Sequence, residues 1–465
     1  NGIGVTSRVG VMREDRNLSD QRNIILFHPK TLHEKYYSFF WLPYSVLYIG
    51  SALKQNGFKP ILFDENVIGQ IGGMHYQKTF EPLLSNCLFV GISSMTGHQL
   101  YAGLKFAKKI RESNPFIPIV WGGRHGTLMY ETMVENPFVD IVIRGQGEKT
   151  VVELSKRLLE NNSLFGLDGL SFKSNGRIIH NKPREFIDME SFRPIEWNLI
   201  DIVQYILDDP DINTRSLNYI SSLGCPHRCG FCTEVPFVKD SSRKWMGFKA
   251  ESVVHDISYL TNKYQINGIK FYDANFFVDP TRVLTFASGL IKRSIEIKWA
   301  ASAHPITIMK LKNEDWKIIK KSGCSRLLIG IESGSQKVLD LINKTMDVSM
   351  GIEIADRLTK YGIIGCFTFI VGFPNAPKDE IDLTLEMANK IREIFKKHEV
   401  KIHFYGPYPR TPLFDIAVNN GFTPPKTLME WAKFDYYTIE VPWVDKSYKR
   451  KLDMFNREGC PYVHI

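Results

Sequence analysis

Short apolar runs and amphipathic stretches alternate along the first third of the chain. The runs "NIILFHP" (Asn23–Pro29), "PILFDEN" (Pro60–Asn66), "LFVGISSMT" (Leu88–Thr96), "IPIVWGG" (Ile117–Gly123) and "VDIVIRG" (Val139–Gly145) are short and bounded by proline, glycine or polar residues, which predicts five buried strands. Between them, "SVLYIGSALKQNG" puts Val46, Ile49, Ala52 and Leu53 on one helical face and then offers Gly57 as a terminator. "LYAGLKFAKKIRES" and "EKTVVELSKRLLE" are two further amphipathic helices. Strands separated by helices pack as a parallel, doubly wound sheet, whose ligands sit at the carboxyl ends of the strands. Here those ends carry His28, Ser93–Thr96, Gly122–His125 and Gly145–Glu148. This unit is expected to span residues 1–165.

Residues 166–210 read as a connector. It holds a hairpin turning at Ser174-Asn175-Gly176, followed by the loop-rich "DMESFRPIEWNLID". The alternation resumes at residue 211. "NYISS", "IKFYD", "IKWAAS", "RLLIG", "GCFTFIVG" and "VKIHFYG" are candidate strands, most of them separated by helical stretches. Six βα units are too many for a small sheet, and eight would close a full barrel. Residues 211–410 are therefore expected to form a partial (β/α)6 barrel. Residues 411–465, rich in proline and aromatics, are expected to be a small C-terminal cap. The fold class is α/β throughout.

Composition narrows the classes. The chain of 465 residues is 43% hydrophobic and 23% charged, an ordinary globular balance. No apolar run approaches the roughly 20 residues of a membrane span, and the start lacks the apolar core of a secretory signal. The net charge of +9 is spread along the chain without a basic tail. No nucleic-acid partner is expected, while an anionic substrate or an acidic electron donor is compatible. Seven cysteines, an odd and thin supply, argue against a secreted disulfide framework and for a reducing cytoplasm.

Three of those cysteines crowd into "SLGCPHRCGFCTEV": Cys225, Cys229 and Cys232, spaced C-x3-C-x2-C after the first strand of the expected barrel. Thiolates on so tight a loop can point at one centre. Structural zinc wants a fourth ligand. His227 is poorly spaced to provide it, and no second C-x2-C pair exists. A four-iron cluster has four corners, so three cysteines leave one iron open to a small chelating substrate. A zinc-bound or merely packed cysteine group is the alternative.

With Phe231 just before the third cysteine, this spacing resembles the signature of the radical S-adenosylmethionine (SAM) superfamily. The resemblance implies a [4Fe-4S] cluster on Cys225, Cys229 and Cys232 that binds SAM at its open iron. Reduction of the cluster in that family cleaves SAM to a 5′-deoxyadenosyl radical, which abstracts hydrogen from substrate. Other segments resemble family positions in the same order. "FYDANFF" corresponds to the segment near the SAM amino group, with Asp273 and Asn275 as its polar candidates. "LLIGIESGS" is similar to a ribose-binding segment and nominates Glu332 and Ser333. "FTFIVGFP" resembles the strand that passes the adenine, with Gly372 allowing close approach. "YGPYPRTPLF" resembles the exit of the sixth strand.

The Rossmann-like unit ahead of this core, with "VGISSMT", "VWGGRHGT" and "VDIVIRGQGEKT", is similar to that of the cobalamin-binding class of the superfamily. The resemblance places Ser93, Thr96, Gly122 and Gly123 near the nucleotide tail of cobalamin. The motif D-x-H-x-x-G, which supplies a histidine to cobalt, is missing. That region reads "FHPKTLHEKYY", where His28 and His33 read as ordinary loop histidines. Methylthiotransferases carry three further N-terminal cysteines where this chain has only Cys87, and the scatter of Cys324, Cys366 and Cys460 does not suit an auxiliary cluster. Cys324 and Cys366 are expected to be buried, Cys460 to be a surface thiol or to lie near the substrate.

The leading expectation is cobalamin-dependent methylation of an unactivated carbon in a small-molecule or peptide substrate, with flavodoxin or ferredoxin as electron donor. The alternatives are a radical SAM cyclase, dehydratase, deoxygenase or epimerase whose N-terminal domain holds no methyl-donating cobalamin, and a non-catalytic metal-binding or interaction protein.

Overall fold

The computed structural model describes residues 22–31, 41–68 and 78–434, together with 439, 441–445, 447, 448, 452 and 455. His33 and Cys460 lie outside the described residues. The chain divides into two compact units. One comprises residues 1–204, 239–243 and 425–437, the other 205–238, 244–424 and 438–465. The C-terminal stretch expected as a cap is thus shared between the two.

In the first unit, β1 (Asn23–His28), β2 (Lys59–Asp64), β3 (Cys87–Ser93), β4 (Ile119–Gly122) and β5 (Ile141–Ile143) form a parallel sheet in the order β2-β1-β3-β4-β5. Every residue of the central β3 is buried, as a strand covered by helices on both faces requires. Helix α1 (Tyr44–Gln55) buries Val46, Ala52 and Leu53 against this sheet. It ends as the sequence suggests: Gly57 takes φ +83°, and the Phe58 amide donates to the Leu53 carbonyl.

The hairpin does more than connect. Its strands β6 (Leu170–Ser174) and β7 (Arg177–His180) join the sheet antiparallel, β6 against β5. The free backbone edge of β5 is paired, and Leu170 and Phe172 enter the core beside Ile141 and Val120.

In the second unit, β8 (Leu207–Asp209), β9 (Thr214–Tyr219), β10 (Ser222–Gly224) and β11 (Trp245–Gly247) precede β12 (Gly268–Phe271), β13 (Lys298–Ala303), β14 (Cys324–Glu332), β15 (Ile364–Val371) and β16 (Glu399–Phe404). The main sheet runs β16-β15-β14-β13-β12-β9-β8. Its six strands from β9 to β16 are parallel, the half-barrel that the six apolar runs predict. β8 adds an antiparallel edge. Trp299, fully buried, packs edge-on against Phe271 and Phe286 and anchors the layer between strands and helices.

Side chains on the opposite face of these strands point into the half-barrel. Near the amino ends they form an ion-pair network. Lys270 Nζ lies 2.9 Å from Asp209 and 2.7 Å from Asp211, and Arg326 lies 2.6 Å from Glu399 and 3.7 Å from Asp211. The network ties four strands together where the chemistry is not, and leaves the carboxyl ends for the site. Arg326→Met removes a buried partner from two carboxylates. It should cost about 3 kcal/mol and lower the calorimetric Tm by about 6–12 °C, whereas Lys390→Met, on an exposed pair with Glu386, should leave it unchanged.

Candidate functional site

The turn that leaves β9 is locked before the cysteines begin. Asp273 is buried, and its carboxylate accepts from the Ser221 amide at 3.2 Å, from Ser221 Oγ at 2.9 Å and from Ser222 Oγ. Arg282 Nη2 donates to Ser221 Oγ at 2.6 Å and to the Ser221 carbonyl at 3.2 Å. Burial pushes the Asp273 carboxyl up, and Arg282 and the two serines oppose that shift. The oxygens of Asp273 are therefore spent on holding the strand end that feeds the cysteine loop. β10, the strand directly before Cys225, then pairs antiparallel with β11.

The loop is pinned from outside. The Gly230 amide donates to the Ile342 carbonyl at 2.6 Å, the Gly230 carbonyl accepts from Leu413 at 3.0 Å, and Asn343 Nδ2 donates to the Arg228 carbonyl at 2.9 Å. A Cβ on Gly230 would stand 3.0 Å from Leu413 Cγ and 3.3 Å from the Ile342 oxygen, so any side chain would crowd this approach. Cys225, Cys229 and Cys232 are all free thiols. Burial raises Cys225 to about 11 and Cys232 to about 12, and their neighbouring thiols add to the rise. Such a group ionises only beside a strong positive centre.

Lys344 faces this loop. Burial alone would lower its pKa, but Glu332 and the cysteines hold it up. Its Nζ lies 3.0 Å from Glu332 Oε1, with the two side chains 4% and 8% exposed. Glu332 reaches that position through a register shift between Gly330 and Glu332 and a backbone φ of +73°, unusual for a residue with a Cβ. Ser333, fully buried, accepts from the Ser335 amide at 3.1 Å.

Phe231 packs near Phe373, ring centres 5.8 Å apart. Gly372, at φ +75°, donates its amide to Glu380 Oε1 at 2.6 Å and accepts from Trp443 Nε1 at 3.0 Å. Asn275 Oδ1 accepts from the amides of Phe277 and His304, and the His304 ring stacks on His227 at 3.6 Å. Lys344 and His304 escaped the sequence reading. Lys344 sits among apolar residues in "VLDLINKTM", a buried-side position for a charge, and that was the available signal.

In the first unit the carboxyl ends of the strands gather a second set of polar groups. Ser93 Oγ donates to Ser45 Oγ at 2.9 Å, and Ser45 lies 3.3 Å from His28 Nδ1. Thr96 Oγ1 is 2.9 Å from His125 Nδ1. Gly123 has φ +95°, and a Cβ there would fall 2.5 Å from the Ser94 carbonyl oxygen, so the protein itself demands glycine. Gly122 differs: nothing in the protein stands closer than 3.8 Å to a Cβ at that position.

A profile of the radical SAM superfamily matches residues 219–388, and one of the B12 binding domain matches residues 36–155. An uncharacterized methyltransferase of Pyrococcus horikoshii is 30% identical over 367 residues, covering 78% of this chain and 74% of that one. The chain belongs to the radical SAM superfamily. An anaerobic magnesium-protoporphyrin IX monomethyl ester cyclase of Cereibacter sphaeroides is 26% identical over 381 residues, 80% of this chain and 60% of that one. Among solved structures, the radical SAM methyltransferase TsrM of Kitasatospora setae, with cobalamin and a [4Fe-4S] cluster bound, superposes with a TM-score of 0.68 at 15% identity, over 87% of this chain and 80% of that one. The cobalamin-dependent radical enzyme OxsB superposes with 0.67 at 19% identity, over 94% and 61%. These two likenesses carry the fold.

The cofactors of this radical SAM enzyme are a [4Fe-4S] cluster, SAM and cobalamin, and its own residues suit them. Among the described residues no three histidine, cysteine or carboxylate side chains stand at the spacing that holds one metal ion. Beside the cysteines, His227 Nε2, Asn275 Nδ2 and His304 Nε2 are buried without a hydrogen-bond partner, as a site shaped for a polar ligand requires. In the first unit, the open backbone at Gly122 and the exposed Trp41, Met95 and Tyr101 offer a large ligand both close approach and apolar surface.

Burial lifts the Glu380 carboxyl from 4.5 to about 7. A raised carboxyl contributes stability that is complete below its unfolded pKa and lost as pH rises through the folded one. Glu380→Gln keeps an acceptor for the Gly372 amide and cannot ionise. Its Tm should equal that of wild type near pH 4.5 and exceed it at pH 8.5. A difference that does not change with pH would refute this account of Glu380.

Proposed function

We propose that this chain is a cobalamin-dependent radical SAM methyltransferase that adds a methyl group to an unactivated carbon of a small-molecule or peptide substrate. The observation that carries the reading is the pairing, on one chain, of a three-cysteine cradle facing Lys344 with a B12 binding domain, in a relative of a protein named as a methyltransferase. When bound, the cluster supplies the electron that splits SAM, and cobalamin supplies the methyl group.

The residues take the following parts in this reading. Cys225, Cys229 and Cys232 hold three irons and leave the fourth to SAM. Phe231 shields the loop, and Asn275 lines the place of the SAM methionine. Asp273 acts at one remove by fixing the turn at Ser221 and Ser222. Glu332, oriented by Lys344, and Ser333 face the ribose, and Gly372 passes the adenine. Ser93, Thr96, Gly122 and Gly123 border the nucleotide tail of cobalamin. Both ring nitrogens of His28 already have partners in Ser45 and Gln99.

No helix among the described residues is long and apolar enough to cross a membrane. We assign the enzyme to the reducing cytoplasm, with flavodoxin or ferredoxin as the low-potential donor. The buried thiols of Cys87, Cys324 and Cys366 suit that setting.

Anaerobically reconstituted protein, given cobalamin, SAM and a reductant, should form both S-adenosylhomocysteine and 5′-deoxyadenosine. Deoxyadenosine without S-adenosylhomocysteine would favour the reaction class of the cyclase relatives over methyl transfer. Cys225→Ala should lose the cluster, read as iron content and visible absorbance, together with SAM cleavage. Unchanged cleavage would overturn the radical SAM assignment of this loop.

A further inference from the structure

Two buried donors near the cysteine loop have their direction set by the chain itself. His304 follows β13 and caps helix α2 (Pro305–Met309), its Nδ1 accepting from the Ile306 amide at 3.4 Å. A neutral imidazole that accepts at Nδ1 carries its proton on Nε2. That Nε2–H is buried and has no partner. The ring cannot turn aside, because it lies flat on His227 with 9° between the planes.

Asn275 is assigned in the same way. Its Oδ1 accepts from the Phe277 amide at 3.1 Å and the His304 amide at 3.3 Å, so its amide nitrogen is the group left over, also buried and unpartnered. An amide nitrogen offers donors only, which does not suit the ammonium of an amino acid and does suit its carboxylate. Lys344 stands close enough to depress the pKa of His304. His304 and Asn275 therefore present an imidazole N–H and an amide N–H side by side.

We propose that His304 Nε2–H, with Asn275 Nδ2–H beside it, receives the carboxylate of SAM, which makes His304 a positioning residue that selects SAM by its amino-acid end. The inference rests on the radical SAM reading of the preceding subsection. Two substitutions separate the donor from the cap. His304→Asn keeps an acceptor where Nδ1 was and loses the reach of Nε2. His304→Gln places an amide N–H where Nε2 was and loses the cap.

The test is equilibrium dialysis of cluster-loaded protein, its iron content matched to wild type, against SAM and against decarboxylated SAM. His304→Asn should weaken SAM binding by about tenfold or more, the loss of a hydrogen bond to a charged group. It should leave the affinity for decarboxylated SAM unchanged, and His304→Gln should stay near wild type with both ligands. Wild-type affinity for SAM in His304→Asn overturns the proposal. So does an equal loss for both ligands, or a loss in His304→Gln as large as in His304→Asn, since either marks a structural role. A cluster-loaded wild type that binds no SAM overturns the parent reading and this inference with it, a result distinguishable because it needs no substitution.

Discussion

A lysine cannot be buried without a countercharge, and Lys344 is the point from which the arrangement of the radical SAM site follows. An unpaired ammonium at 4% exposure would deprotonate or unfold its surroundings. Glu332 prevents both, and to do so it accepts a left-handed backbone and an irregular register at the end of β14. The pairing keeps the ammonium charged while buried, and that ammonium is the positive group the chain itself sets beside the cysteine loop. Strain at one strand end, a buried ion pair and a polar wall beside the cysteines are parts of a single electrostatic arrangement.

The second constraint is mechanical. Asp273, Ser221, Ser222 and Arg282 fix the chain before the cysteines, and Ile342, Asn343 and Leu413 fix the loop that carries them. The partners come from the segments after β12, β14 and β16 and from the helix that holds Arg282, so the loop is braced by distant parts of its own unit. At the other end of the same strands, Arg326 and Lys270 fill the interior with paired charge. The half-barrel is thus closed where it needs stability and open where it needs a ligand.

Much of this was legible in the sequence, and the divide follows range. The eleven parallel strands of the two sheets were visible because buried parallel strands write themselves as short apolar runs. The cysteine loop was visible because its three chemical residues are neighbours in sequence. The hairpin at Asn175-Gly176 was legible as a turn, but its pairing with β5 was not, since an edge is recognised only after the sheet exists. Lys344 and His304 lie about 120 and 80 residues from Cys225 and meet it only through the winding of the half-barrel. The resemblance of its segment nominated Asp273 for the SAM amino group, and only the folded chain shows its oxygens accepting from Ser221 and Ser222.

The bracing of the cysteine loop bears on what becomes of the protein when oxygen destroys its cluster. The hydrogen bonds at Arg228 and Gly230 and the stack of His227 on His304 involve no iron, so the cradle outlives its contents. Burial holds the pKa of the emptied thiols high and so favours their protonated form. The braced loop is thus a mould in which a new cluster can be built. In that sense the polypeptide is the template, and the cluster is its replaceable part.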